Sequence, residues 1–281
     1  MSEFLHHNGH IIPATEWHLS PDNRSFRYGD GFFETMKLLD GKIVLQELHF
    51  ERLFISLEKL KFTRPEYLAP GYLQHAVYEL VNKLGIADRA RVRLTVYRGN
   101  GGPFDLQDHS PNILIQAWLL SAIANEFEPN GLSMGIYTDA RKTTDLFSVV
   151  KSNNYQCYLM AALWAKEHGL DDALVLNAHD RLADATIANV FVVKDGTIVT
   201  PALTEGCIGG VMRRYILSAL RKEGIPVVEG MITPAELSHA SEIFLTNAMI
   251  GIKWVRNIEE NTFKDNMAHY LYNKFIKNHL W

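Results

Sequence analysis

From Glu47 to Phe62 the apolar residues Phe50, Leu53, Phe54, Leu57 and Leu60 recur three and four apart, leaving Glu51, Arg52, Glu58 and Lys59 for other faces. That spacing predicts an amphipathic helix. A second follows from Gly71, where Leu73, Ala76, Val77, Leu80, Val81 and Leu84 keep the same period and Gly85 stops it. The period then changes. Arg91 to Tyr97 alternates polar or charged residues with Val92, Leu94 and Val96, the signature of a strand with one wet face. Asn112 to Leu120 reads as another strand, and Met36 to Leu45 as a hairpin turning at Asp40-Gly41.

Arg98-Gly99-Asn100-Gly101-Gly102-Pro103 forces a loop, and Asn125 to Gly131 has the polar composition of a linker. In the second half, Leu146 to Val150 reads as a strand running into Lys151-Ser152-Asn153-Asn154, with a helix from there to His168 and a stop at Gly169. Strands follow at Asp172–Asn177, Ala188–Val193, Thr197–Thr200 and Glu242–Thr246. A helix opens after Gly209-Gly210 with Val211, Met212, Tyr215, Ile216, Ala219 and Leu220 inward. Strands succeeded by helices, without strict alternation, predict an α+β protein. The expected domains are 1–124 and 132–281, joined by a linker at 125–131.

At 281 residues, with 47% hydrophobic and 21% charged positions, the chain is globular and long enough for two domains. Lys plus Arg number 28 against 32 Asp plus Glu, so the net charge of -4 offers no diffuse cationic surface to nucleic acid or anionic lipid. Two cysteines, Cys157 and Cys207, exclude a disulfide scaffold or a four-thiolate zinc site and fit a reducing compartment. The longest greasy stretch, Ile113 to Ala124, is interrupted by Gln116 and falls short of the ~20 residues that span a bilayer. A cytoplasmic protein without a membrane segment is expected. His6, His7 and His10 lack acidic or Cys partners at ligand spacing, so no metal site is expected.

Lys151 stands at the junction of an apolar stretch and an expected helix start. Proximity to a helix's positive end and partial burial both disfavour the ammonium form. An amine so perturbed condenses with an aldehyde, as a lysine carrying pyridoxal 5'-phosphate (PLP) must. By position alone, a lysine snorkelling from a helix end is the commoner case. Gly209-Gly210-Val211-Met212 before a helix, Thr246-Asn247 at a strand end, and Arg52 on a packing helix are each a weak candidate for holding phosphate. Only a fold that gathers them makes a site.

Several ordered motifs resemble the class IV aminotransferases, the fold-type-IV PLP enzymes. They are Arg27-Tyr28-Gly29-Asp30-Gly31-Phe32-Phe33-Glu34-Thr35, Asp40-Gly41-Lys42, and His49-Phe50-Glu51-Arg52-Leu53 with Ser56, followed by Lys151 with Asn154. Leu182 to Phe191, Thr200-Pro201 and Gly210-Val211-Met212-Arg213 complete the series. The similarity runs from Asn8 to about Val255. It implies a two-domain fold like that of D-amino acid aminotransferase, with the cofactor at the domain interface, and a homodimer acting on a small amino-acid-like substrate. It gives Lys151 as the residue that links the cofactor and shuttles protons. Arg52, the amides of Val211 and Met212, and Thr246 with Asn247 become the phosphate ligands, and Asp184 the partner of the ring nitrogen.

The family normally has Glu where this chain has Asp184. Either the ring sits closer, or water bridges the gap, or electron withdrawal is reduced. Arg98-Gly99-Asn100-Gly101-Gly102, Thr246-Asn247-Ala248-Met249 and Gly210-Val211-Met212-Arg213 resemble the aminodeoxychorismate lyases of the family. The resemblance therefore favours a lyase releasing pyruvate from 4-amino-4-deoxychorismate to give 4-aminobenzoate for folate synthesis. The alternative is a branched-chain or D-amino acid aminotransferase. A protein that keeps the fold and binds PLP or a partner without turnover is the rival from another class, motivated by the Asp184 departure. On the substrate side the candidates are Arg98 for a carboxylate and Tyr28 and Phe33 for the pocket wall. Trp118, Tyr137 and Trp254 are further aromatics that could line such a pocket, though large aromatics are core residues far more often than ligand contacts.

Overall fold

The computed structural model describes residues 2–104, 109–121, 126–277 and 280. It divides into two units, Met1–Ala124 with Val150–Asn154, and Asn125–Val149 with Tyr155–Trp281. The boundary expected at 124/125 therefore falls on residues outside those described, while Val150–Asn154 groups with the first unit. Among the described residues no helix is long and apolar enough to cross a membrane, and no cluster of His, Cys, Asp and Glu could hold a metal ion.

In the first unit, strands β1 (Phe4–His7), β2 (His10–Pro13), β3 (Gly31–Leu39), β4 (Lys42–Ile43), β5 (Arg89–Tyr97) and β6 (Asn112–Leu119) make an antiparallel sheet in the order β2-β1-β6-β5-β3-β4. The β3–β4 hairpin turns at Asp40 and Gly41, both with positive φ (47° and 69°), which suits an Asp-Gly pair. Alternation sorts the sheet. Phe32, Met36 and Leu38 on β3, Val92, Leu94 and Val96 on β5, and Ile113, Ile115 and Ala117 on β6 are all buried. Helices α2 (Gln46–Lys59) and α3 (Pro70–Lys83) add Phe50, Leu53 and Leu57, and Leu73, Val77 and Leu80, to the buried set. A short helix α1 (Arg24–Tyr28) precedes β3, capped by the Asn23 side chain.

The second unit holds β7 (Leu132–Lys142), α4 (Gln156–Glu167), β8 (Asp172–Asn177), β9 (Leu182–Ala185), β10 (Asn189–Lys194), β11 (Thr197–Pro201), α5 (Val211–Lys222), β12 (Val227–Gly230), β13 (Glu242–Asn247), β14 (Gly251–Ile258), β15 (Asn261–Thr262) and α6 (Asn266–Leu271). Its mixed sheet runs β12-β11-β10-β13-β14-β7-β8-β9, with β15 beside β14. Met134, Leu174, Leu176, Val190, Val192, Ile243, Leu245 and Val255 form a core on one face. On the other face Tyr137, Ala173 and Val175 pack with Tyr158, Ala161 and Ala165 of α4. Burial on both faces explains why β8 is apolar without alternation.

The expected strand at Leu146 to Val150 is instead a run of turns. Ser148 causes this: its hydroxyl donates to Thr143 O (2.8 Å) and accepts from Asp145 N (2.8 Å), bending a segment whose apolar residues look strand-like. The helix after Lys151 also begins later than expected, at Gln156. Asn153 is drawn into other bonds, its N–H donating to Gly31 O (2.9 Å) and its Nδ2 to Ser25 Oγ (3.0 Å).

Candidate active site

Lys151 lies against the start of β3. Its carbonyl accepts from Phe33 N (3.0 Å), and Ser152 bridges to Phe32. Gly31 permits this close approach, because a Cβ there would stand 2.5 Å from Val96 O and 2.7 Å from Asn153 Nδ2. The Lys151 Nζ is 4.7 Å from the centre of the Phe33 ring, and the Arg93 guanidinium carbon is 3.7 Å from the centre of the same ring. Cross-strand pairing sets Thr35 opposite Arg93 and Lys37 opposite Arg91, so the sheet face that carries Phe33 also carries three basic residues. Lys37 is fully buried, and burial pushes its ammonium down to about 7.

Glu34 projects to the opposite face, into the core. It is buried and accepts from Arg52 Nε (2.7 Å), Arg52 Nη2 (2.5 Å) and His49 Nδ1 (2.7 Å). Burial works to raise its carboxyl, but the Arg52 charge and the bonds from His49 and Arg52 prevail and bring it down to about 2. Burial lowers the His49 imidazole, against the pull of Glu34, and its Nε2 is buried without a hydrogen-bond partner. Arg52, which gives Nε and Nη2 to Glu34, is thus held rigidly in the first unit.

The other candidates of this unit are placed differently. Arg98 gives Nε to Asp30 (3.3 Å), Nη1 to His109 and Nη2 to Leu60 O (2.6 Å), and its guanidinium lies 4.2 Å from the Phe62 ring centre. All three nitrogens are engaged by the fold. A substrate carboxylate would have to displace those bonds, so Arg98 serves the loop in this structure. Tyr28 ends α1, is exposed and lies under the Arg27 guanidinium. Trp118 of β6 lies 5.6 Å from the Arg91 guanidinium.

In the second unit Asp184, on β9, is 2% exposed. Its Oδ2 accepts from Tyr158 OH (2.7 Å), Ile208 N (2.9 Å) and Lys142 Nζ (3.1 Å), and its Oδ1 from Asn189 Nδ2 (2.8 Å). Asn189 Nδ2 also donates to Ile208 O (2.8 Å), and Asn189 pairs across the sheet with Thr246. Thr246 is fully buried and its Oγ1 has no hydrogen-bond partner. Asn247 turns elsewhere, donating to Ile187 O (3.1 Å) and accepting from Met249 N and Ile250 N (both 2.9 Å). Tyr137 is a core residue, and Trp254 donates to Glu128 O (2.8 Å) while packing over Gly131.

Val211 and Met212 open α5, whose N-cap is Gly210 and receives no side-chain cap. Their amides belong to the helix turn that lacks intrahelical acceptors, where an anion is favoured. A Cβ on Gly210 would stand 1.8 Å from Asn189 Oδ1. An uncapped helix start, a glycine cradle and an orphaned buried hydroxyl together suit a phosphate group. Gly210→Ala is therefore expected to displace Asn189 and weaken PLP binding about tenfold, the equivalent of one hydrogen bond. Absorbance titration of cofactor-free protein measures this; an unchanged Kd would contradict it.

Residues 31–258 match the model of the family "Amino-transferase class IV", and the chain belongs to that family. It is accordingly a PLP-dependent enzyme, a lyase or an aminotransferase. An aminodeoxychorismate lyase of Bacillus subtilis is 30% identical over 96% of this chain and 94% of its own length. A D-alanine aminotransferase of Listeria monocytogenes is 26% identical over 90% of this chain and 86% of its own. The branched-chain aminotransferase of Thermoproteus uzoniensis, solved with norvaline, superposes with a TM-score of 0.88 at 23% identity, covering 97% and 93% of the two chains, which establishes the α+β fold.

Motif reading did not anticipate Glu34, His49, Arg93, Lys142, Tyr158 or Asn189 in these roles. A signal existed for one of them. Strict alternation puts Glu34 on the apolar face of β3, so it was locatable from period two alone, whereas Arg93 meets Phe33 only through the β3–β5 register.

Proposed function

We propose that the protein is a 4-amino-4-deoxychorismate lyase, with Lys151 carrying PLP, Val211, Met212 and Thr246 holding its phosphate together with Arg52 and Asn247, and Asp184 meeting its ring nitrogen. The observation that carries the lyase reading is the alignment with a lyase over 96% of the chain, joined to the Arg98–Gly102 loop that resembles that branch. When bound, PLP supplies an electron-withdrawing ring that stabilises charge at the substrate's amino-bearing carbon. Once the substrate's amino group has displaced it, Lys151 Nζ is free to take the proton from that carbon. The bond between the neighbouring ring carbon and the enolpyruvyl oxygen breaks, that oxygen takes a proton and leaves as enolpyruvate, which becomes pyruvate, and the ring of the substrate becomes aromatic. Arg93, whose guanidinium lies over the Phe33 ring that Lys151 Nζ also faces, is our candidate to receive a carboxylate distant from the amino group.

That same guanidinium favours one second reading, because an aminotransferase that exchanges its amino group with a dicarboxylic keto acid needs such a cation. Incubation with aminodeoxychorismate and no added keto acid separates the two. Pyruvate release is expected. Failure of release, with amino transfer to 2-oxoglutarate instead, would reject the lyase in favour of an aminotransferase. We take the assembly as a homodimer; the exposed Leu159, Met160 and Leu163 of α4 form an apolar surface that a second copy would cover.

A further inference from the structure

We propose that Arg93 and Arg91, on the sheet face of the first unit that carries Phe33, form a two-cation ladder that selects a substrate with two carboxylates. This rests on the reading of Lys151 as the reacting amine and deepens it. A branched-chain amino acid, with one carboxylate and an apolar side chain, would leave the ladder unused.

The strand register builds the ladder. Alternation along β5 turns Arg91 and Arg93 to one face, about 7 Å apart along the strand. Thr35 of β3 and Gln116 of β6 flank Arg93, and Lys37 and Trp118 flank Arg91. The next position toward Lys151 is Phe33, opposite Thr95. The centre of its ring lies 4.7 Å from Lys151 Nζ and 3.7 Å from the Arg93 guanidinium carbon, so it marks the end where the amino group reacts. Beyond Phe33, Leu5, Tyr97 and Leu114 pack with Trp17 and close the face. A ligand held at Lys151 therefore extends the other way, past Arg93 to Arg91.

The arrangement works against the sheet. Lys37 stands directly opposite Arg91, and like charges so placed repel. Lys37 is fully buried, and burial pushes its ammonium down to about 7, which relieves part of that repulsion. Arg93 is half-buried, whereas Arg91 is exposed and lies 5.6 Å from the Trp118 ring centre. A guanidinium takes a carboxylate through paired N–H donors in a fixed plane. Two of them on alternate residues of one strand set the spacing as well as the charge of what they accept. Thr35 and Gln116 add neutral hydrogen-bonding groups beside the nearer carboxylate. Arg91 is thus a specificity-determining residue, with no part in the proton transfer at Lys151.

The test is calorimetric titration of the holoprotein with two unreactive aromatic acids, benzoate and benzene-1,3-dicarboxylate. Wild type is expected to bind the dicarboxylate at least about tenfold more tightly, the worth of one charge-assisted contact. Arg91→Gln is expected to abolish that preference while leaving benzoate affinity as it is, and Arg91→Lys to retain most of it. Arg93→Gln is expected to weaken both acids. A merely structural role for Arg91 would move the two acids together. No tighter binding of the dicarboxylate by wild type, or a preference that survives Arg91→Gln, would overturn the proposal. Borohydride labelling keeps the two readings apart. Preference for the dicarboxylate without label on Lys151 means that the cofactor assignment fails and the ladder stands, whereas label on Lys151 with equal binding of the two acids sinks only the ladder.

Discussion

Lys151→Ala is expected to lower turnover by at least about 10³-fold, since positioned proton transfer alone is worth 10²–10⁴ and covalent attachment of the cofactor is lost as well. The fold is expected to survive. Lys151 meets β3 through its backbone carbonyl, which bonds to Phe33 N whatever the side chain, and the ring of Phe33 remains packed. The measurement pairs pyruvate release or amino transfer with thermal unfolding. Activity within tenfold of wild type, at an unchanged Tm, would contradict the role given to this lysine.

The second large effect is on stability. Glu34→Ala leaves Arg52 and His49 buried on α2 without their shared anion, and breaking a buried ionic group in this way costs about 3–5 kcal/mol. The same carboxylate governs the acid limb. Its folded value, about 2, lies below the ordinary 4.5, so its contribution is complete above that ordinary value and is lost as pH falls from about 4.5 toward about 2. The depression corresponds to about 3 kcal/mol. Urea unfolding across that window is expected to show a steep fall for wild type and a flatter one for Glu34→Gln. An equal slope in both would contradict the assignment.

Much of the fold was legible where one physical signal acted alone. The α2 and α3 helices follow from three-and-four spacing, and β5 from alternation. Asp172–Asn177 was recognisable as a strand because both its faces are buried, so the four residues between Asp172 and Asn177 are all apolar. Strand β7, Leu132–Lys142, was missed although Leu132, Met134 and Ile136 alternate with Ser133 and Gly135, because Tyr137, Thr138 and Asp139 end that short run and pairing with β8 and β14 stabilises the strand across long sequence separations. Leu146–Val150 misled because its apolar residues outweighed one serine hydroxyl that bends the backbone.

The candidate site divides in the same way. Lys151, Gly210 and Asp184 stood in motifs with local character. Lys142 and Tyr158 did not, since nothing in a basic residue at a strand end or a tyrosine in an apolar helix announces a carboxylate that lies 42 or 26 positions away. Arg98 shows the converse. A guanidinium at a glycine-rich loop looks available to a ligand, yet Asp30, His109 and Leu60 occupy it.

Sodium borohydride treatment of the purified protein, followed by proteolysis and mass mapping, bears most directly on the central claim. A reduced phosphopyridoxyl group on the peptide containing Lys151, absent from Lys151→Ala, is the predicted result. Adduct on another lysine, or on none after incubation with excess PLP, would contradict it.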